Sequence, residues 1–132
     1  MLRVKTFVST SPGRGLGLFS AQYIEPGTIT WEYEPEFDLS FSREEIYSLP
    51  EINKEFFLKF TYFDHGLDRF VMPFDDLRFI NHSGKGFNIE SSPRMDVAAR
   101  SIAEGGELLC DYLSFEDSYF DRLKIDPSTW RT

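Results

Sequence analysis

Glycine and proline interrupt this chain so often that it cannot form long regular elements. The breaks fall at Ser11–Gly17, Glu25-Pro26-Gly27, Asp64-His65-Gly66, Ser91-Ser92-Pro93 and Glu104-Gly105-Gly106. Proline presets φ and glycine supplies a positive φ, the two things tight turns require. Short segments lie between these breaks. Leu2 to Ser9 alternates polar and apolar residues and predicts a strand. Leu18 to Ile24 is a short apolar run. Thr28 to Tyr33 predicts a half-buried strand, with Ile29, Trp31 and Tyr33 on one face and Thr28, Thr30 and Glu32 on the other. Tyr62 to Met72 predicts a hairpin. Phe87 to Glu90, Met95 to Ile102 and Leu108 to Tyr112 predict further strands. The pattern is that of a mainly β fold with a few short helices.

The helical signal sits in the middle. Ser42 with Glu45 matches a capping box, and Ser48 with Glu51 matches a second, with Pro50 in its first turn. Ile52, Phe56 and Phe60 then recur every fourth residue, which predicts a short helix packing one aromatic face. Ser114 can cap a last short helix running through Lys124. The tail beyond it is polar apart from Trp130.

At 132 residues the chain is one domain's worth of sequence. Its formal net charge of -8 argues against binding nucleic acid by phosphate neutralisation and suits a basic partner. The residues before Thr10 have no continuous apolar run, so no signal peptide is expected, and no stretch has the length of a membrane span. The single cysteine, Cys110, excludes an internal disulfide and predicts a reducing, cytoplasmic location. Neither His65 nor His82 has a Cys or His at ligand spacing, so no metal is expected.

Three patterns carry chemistry. Gly13, Gly15 and Gly17 lie at every second position after the first strand. They do not fit GxGxxG with a following βαβ unit, nor a phosphate loop, and alone read as a glycine-rich turn. Arg78-Phe79-Ile80-Asn81-His82-Ser83 ends an apolar pair in a polar turn. Adjacent His82 and Ser83 point opposite ways on an extended chain and form no dyad. Glu107-Leu108-Leu109-Cys110-Asp111-Tyr112 brings a phenol to a strand end.

Taken together and in this order, the three resemble the GxG, RFxNHS and ELxxDY motifs of SET-domain lysine methyltransferases. The resemblance runs from about residue 5 to 115. It implies a single SET domain over 1–132, with 114–132 as C-terminal helix and tail. The small size and the Gly27-Thr28-Ile29-Thr30-Trp31 strand resemble the free-standing bacterial and viral members. The implied fold is β-clip-like, with a C-terminal pseudoknot in which the chain after Tyr112 passes beneath the Asn81-His82-Ser83 loop.

The resemblance also implies S-adenosylmethionine as methyl donor and a lysine in a basic protein as acceptor. Arg14, Gly15, Leu16 and Gly17 would cradle the donor through their backbone. The Asn81 side chain would meet its amino-acid end, and the His82 backbone its adenine. Arg78 would support that turn. Tyr112 would be the active-site tyrosine and Tyr62 a second one at the channel. Cys110, two residues before Tyr112, and Phe115 would line the channel. Tyr119, Phe120 and Trp130 are further candidates to cover it. Small members of the family can pair, so a homodimer is compatible with it. The family's usual Cys-x-Pro-Asn after NHS is replaced by Gly84-Lys85-Gly86-Phe87-Asn88, one residue longer and without Cys or Pro. That departure leaves open both the role of Asn88 and a second reading, a non-catalytic SET-like module that binds a basic peptide.

The implied chemistry suits these residue types. Methyl transfer from a sulfonium to an amine is an in-line displacement that needs no metal or nucleophilic side chain. The acceptor lysine must be neutral, although its ordinary pKa is about 10.4, and a desolvating aromatic channel lowers that value.

Overall fold

A computed structural model describes residues 1–126. In chain order the strands are β1 (Thr6–Ser11), β2 (Gly15–Ser20), β3 (Ile29–Glu32) and β4 (Leu39–Phe41). Helices α1 (Arg43–Tyr47) and α2 (Glu51–Phe60) follow. The chain then forms β5 (Tyr62–Asp64), β6 (Arg69–Met72), β7 (Asn81–His82), β8 (Ile89–Ser91), β9 (Met95–Ala98) and β10 (Leu109–Cys110). Helix α3 (Tyr119–Leu123) comes last, and 3₁₀ turns lie at Asp76–Phe79 and Tyr112–Ser114. The domain is mainly β, as the spacing of turn signals predicts.

The glycine-rich segment is more regular than expected. Only Pro12, Gly13 and Arg14 lie between the strands, because β1 and β2 pair in register from Thr6 with Ser20 to Ser11 with Gly15. Gly15 and Gly17 are therefore strand residues. At the other end, Leu2 makes only an isolated bridge to Trp31. Arg3 donates to the Thr30 carbonyl at 2.8 Å and the Lys5 amide to the Gln22 side chain at 2.9 Å. These bonds draw residues 2–4 away from the hairpin and the Lys5 amide to a side chain, and the first strand starts at Thr6 rather than Leu2.

A five-stranded sheet in the order β3-β9-β8-β10-β7 forms the centre. Strand β10 lies between β7 and β8 and runs parallel to both. The connection 83–88 joins those two flanking strands, so the C-terminal chain runs beneath it. Asn88 fastens this crossing: its amide donates to the Glu107 carbonyl at 2.8 Å, and its carbonyl accepts from Leu109 N–H at 2.9 Å. Ser83 N–H donates to the Cys110 carbonyl at 2.9 Å. The extra residue in the loop has not displaced Asn88 from this role.

Strand β3 departs from the expected facing. Trp31 is 1% exposed, but Ile29 is exposed and Thr30 is buried. An irregularity in the β3–β9 register between Ile29 and Trp31 rotates the strand there, which breaks the simple alternation.

Residues 39–72 form a second unit. Strands β4, β6 and β5 make a three-stranded sheet over a small core of Ile46, Leu58, Phe63 and Phe70. The Ser42–Glu45 capping box is present, with both reciprocal bonds made. The second is not: Ser48 ends α1, and α2 begins after Pro50 without a side-chain cap. The Ile52–Phe56–Phe60 stripe does not face the core either. Ile52 is 77% exposed and Phe56 49%, while Leu58 on another face is buried. An every-fourth-residue pattern marks a face but not the side on which neighbouring elements lie.

Ser114 does not start the last helix. Its hydroxyl bonds the Asp111 and Ser91 carbonyls, and α3 begins only at Tyr119, after Ser118. A buried ion pair, Glu116 to Arg122 at 2.6 Å, docks this helix. The same carboxylate accepts from Phe63 N–H at 2.8 Å, and Arg122 also donates to the Leu58 carbonyl at 2.6 Å. No helix among the described residues is long and apolar enough to cross a membrane.

Candidate active site

The three sequence patterns meet at one carboxylate. Glu107 accepts from Ser11 Oγ at 3.0 Å and from Asn81 Nδ2 at 3.1 Å. Asn81 Nδ2 also donates to the Leu16 carbonyl at 2.8 Å. Gly17 faces this junction, and a Cβ there would run into the Glu107 carboxylate and crowd Asn81. Glycine at 17 is thus required by close approach. Glycine at 15 is required by its φ of +82°. The space where a Gly15 Cβ would point is open.

Tyr112 sits just past β10, at the start of a 3₁₀ turn that the Asp111 side chain caps through Leu113 N–H at 3.0 Å. Its backbone N–H donates to His82 Nδ1 at 3.1 Å. That bond makes His82 an acceptor and therefore neutral. Burial lowers the His82 pKa, a shift that nearby Asp111 opposes and Arg14 reinforces. The 3.6 Å approach of Asp111 to Nδ1 is accordingly not an ion pair. The Tyr112 hydroxyl donates to the Ile80 carbonyl. Its ring lies 4.9 Å from Tyr119 edge-on and stacks on Phe120 at 6.0 Å. Burial raises the phenol's pKa well above its ordinary value, so Tyr112 is a neutral hydroxyl and not a strong base.

A pocket of about 540 Å³, counted out to its open mouth, lies against this tyrosine. Tyr62, Cys110, Tyr112 and Phe115 all line it, with Trp31 and Asp96. Tyr62 reaches it from β5, its ring edge-on to Trp31 at 6.5 Å and to Phe115 at 5.6 Å. Its hydroxyl donates to the Pro93 carbonyl, and burial raises its pKa strongly. Cys110 is 1% exposed, and burial likewise pushes its thiol well up. Arg78 and Tyr119 also line the pocket; Phe120 lies behind it, against His82 and Tyr112. Trp130 lies outside the described residues.

The expected site residues therefore fall into two groups that share Tyr112. Arg14, Gly15, Leu16 and Gly17 lie on the first hairpin, tied to Asn81 and, through Arg14, close to His82 and Tyr112. Tyr62, Cys110 and Phe115 lie with Tyr112 around the pocket. Sequence reasoning missed Trp31, Ser91 and Asp96 as pocket residues and Asn88 as the clamp. Asp96 carries one visible signal, a carboxylate inside a short apolar strand, but its facing depends on register. Among the described residues no group of three or more His, Cys, Asp or Glu side chains is arranged to hold a metal ion.

A profile of the SET domain matches residues 15–113. No curated protein matches by sequence. Among solved structures, a candidate histone methyltransferase of Plasmodium falciparum aligns with a TM-score of 0.60 at 20% identity. That alignment covers 84% of this chain and 95% of the other. The ctPRC2 complex, autoinhibited and bound to S-adenosylmethionine, aligns at 0.65 and 22% identity over 92% of this chain. A humanized mutant of Polycomb Repressive Complex 2 from Chaetomium thermophilum, bound to an inhibitor, aligns at 0.61 and 23% identity over 91%. This chain spans 16% of each of those two larger chains. At these identities the likeness is one of fold.

Proposed function

Because the chain belongs to the SET-domain family, with the profile match covering residues 15–113, we propose that it transfers a methyl group from S-adenosylmethionine to the ε-amino group of a lysine in a basic protein. The observation that carries this reading is the division of the site at Tyr112: a pocket with Tyr62, Cys110 and Phe115 on one side, the hairpin with Asn81 and His82 on the other.

The hairpin side fits such a donor. Asn81 spends its amide hydrogens on Leu16 and Glu107, which leaves its carbonyl oxygen as an acceptor for an ammonium. Open backbone at Gly15 admits close approach. Arg14, Gly15, Leu16, Gly17, Asn81 and His82 would hold the donor, which when bound supplies a methyl group activated on a sulfonium. The residues of this chain do the rest. The aromatic walls at Tyr62, Tyr112 and Phe115 strip water from an incoming lysine and disfavour its charged form. A long side chain confined between them is aligned, and alignment of two reactants is worth on the order of 7–11 kcal/mol. The hydroxyls of Tyr62 and Tyr112 both donate to backbone carbonyls, which fixes the position of each phenol at the pocket.

The net charge of -8 favours lysine-rich partners by long-range attraction. A buried free thiol at Cys110 suits a reducing compartment, and we place the protein in the cytoplasm. Incubation with methyl-labelled donor and a lysate, followed by mass spectrometry of labelled bands, tests the activity. Calorimetry with S-adenosylhomocysteine tests the donor site by itself; no binding would sink this reading and leave a peptide-binding module.

A further inference from the structure

One pocket residue has no part in the chemistry above. Asp96 is 4% exposed, yet it lines the same cavity as Tyr62, Cys110 and Tyr112. The sheet register explains how it gets there. Asp96 pairs with Trp31 on β3 and with Ser91 on β8, so the three side chains form a row across one face of the sheet. The neighbouring row on that face is Ala98, Ile89 and Cys110. Cys110 and Asp96 therefore share the pocket floor.

That row is polar in an otherwise apolar place. The indole N–H of Trp31 is buried without a hydrogen-bond partner, and the hydroxyl of Ser91 lies against the Asp96 carboxyl and bears on its charge. The carboxyl group and these two side chains all line a cavity open to solvent at its mouth. Buried polar groups are rarely left unpaired unless a ligand or a catalytic role requires them. A buried carboxylate on the floor of an aromatic-walled pocket is an acceptor site for a cation that carries several N–H groups.

We infer that Asp96 receives the ammonium of the acceptor lysine at the pocket floor and takes a proton from it. This rests on the lysine-methylation reading and names the group that prepares the amine. An N–H bond of the ammonium breaks and an O–H bond forms on the Asp96 carboxyl. The nitrogen keeps the electron pair, and a neutral amine stands beside a neutral acid. Two opposite charges become none, which a desolvated pocket favours. The proton leaves to solvent when the pocket reopens.

The surroundings of Asp96 agree. Burial pushes its carboxyl up to about 7, against the opposing pull of nearby Ser91 and of the N-terminal ammonium. A group poised there is matched to accepting a proton near neutrality. The other titratable groups facing it are Tyr62 on β5 and Cys110 on β10, both held neutral by burial. Asp64, Asp38 and Tyr33 also act on Tyr62, and Lys59 and Arg78 stand in the pocket wall.

The test is the pH dependence of kcat/KM on a lysine peptide from pH 5.5 to 9, for the wild type and Asp96→Asn. S-adenosylhomocysteine binding confirms that the variant is folded. The wild type should rise through neutrality, and the variant should be at least about tenfold slower at pH 8 and lack that rise. A variant with the wild-type profile overturns the inference. Should Asp96→Asn fail to fold, the wild type alone decides. Affinity for the lysine peptide should increase from pH 6 to pH 8, and that for the same peptide with norleucine at the target position should not. Equal pH responses of the two peptides overturn it. A wild type that neither binds S-adenosylhomocysteine nor transfers methyl overturns the methyltransferase reading itself, a result distinct from an active enzyme indifferent to Asp96.

Discussion

The hairpin half and the pocket half of this site are assembled by opposite means. Backbone forms the first: a hairpin turn with two obligatory glycines, held by the Glu107 carboxylate through Ser11 and Asn81. Side chains form the second. Trp31, Tyr62, Asp96, Cys110, Tyr112 and Phe115 come from strands, a 3₁₀ turn and a loop far apart in the chain. A backbone site tolerates little change at a few positions, and those positions cluster into short motifs. A side-chain site can keep its shape while exchanging individual residues, so its properties are adjustable one position at a time.

Substitutions can break that contrast or sharpen it. The largest effect should come where the two sides meet. Tyr112→Phe removes one hydroxyl from the pocket and should lower kcat by about a hundredfold, the usual scale for one well-placed polar group at a reacting centre. Single-turnover kinetics with donor binding confirmed would measure it, and an unchanged rate would take Tyr112 out of the mechanism. Asn81→Ala should act on the hairpin half, costing about 1.5–3 kcal/mol, or ten- to a hundredfold in S-adenosylhomocysteine affinity. Because Asn81 also ties Leu16 to Glu107, some loss of thermal stability should accompany it. A collapse of stability with unaltered affinity would make the residue structural only.

In the pocket half the expected changes are subtler. Asp96 holds its proton up to about pH 7 in the fold, against an ordinary value of 3.8. Below pH 4 both native and unfolded chains are protonated there. As pH rises toward 7 the unfolded chain releases the proton first, so the native state loses stability, and above 7 the loss levels off. Asp96→Asn should therefore be more stable than the wild type at pH 8, with the difference closing by pH 4 in denaturant titrations. His82 works in the other direction, since its lowered pKa withdraws stability as pH falls below 6.5. A wild type and variant that track each other across this range would contradict the burial of Asp96.

Cys110 bears on product choice. A small residue two positions before Tyr112 leaves room beside the amine, so the wild type should add more than one methyl group at long incubation. Cys110→Tyr should shift the product toward monomethyl lysine, read by mass spectrometry of the peptide. A wild type that stops at one methyl under donor excess would show that the neighbouring Phe115 and Tyr119 fill the space. The smallest effect should be that of salt. Rates on basic peptides should fall severalfold as ionic strength screens the net charge of -8. Insensitivity, or a preference for acidic peptides, would remove charge from substrate selection.

Much of the hairpin half was legible in the sequence. Glycines at fixed spacing, the Asn81-His82 pair and the Glu107–Tyr112 segment are local patterns, and each imposes its geometry within a few residues. Individual elements were less so. The capping box at Ser42 and Glu45 was readable because both partners lie within one turn. Ser48 and Glu51 show the same spacing, yet Ser48 closes the preceding helix. The Ile52–Phe56–Phe60 stripe misled for a related reason: periodicity reports that residues share a face, and only the placement of the three-stranded sheet decides which face is covered.

The sequence by itself determined a mainly β chain, its turns, and the family to which its three motifs belong, because turn chemistry and close backbone approach act over a few residues. Tertiary structure alone decided the aromatic pocket. Trp31, Asp96 and Ser91 become neighbours through strand register, and a one-residue slip or an irregularity such as that in β3 turns a side chain to the opposite face. Likewise Asn88 clamps β10 only because the C-terminal chain returns between β7 and β8. Contacts of that kind are set by the whole sheet closing at once, and no local pattern encodes them.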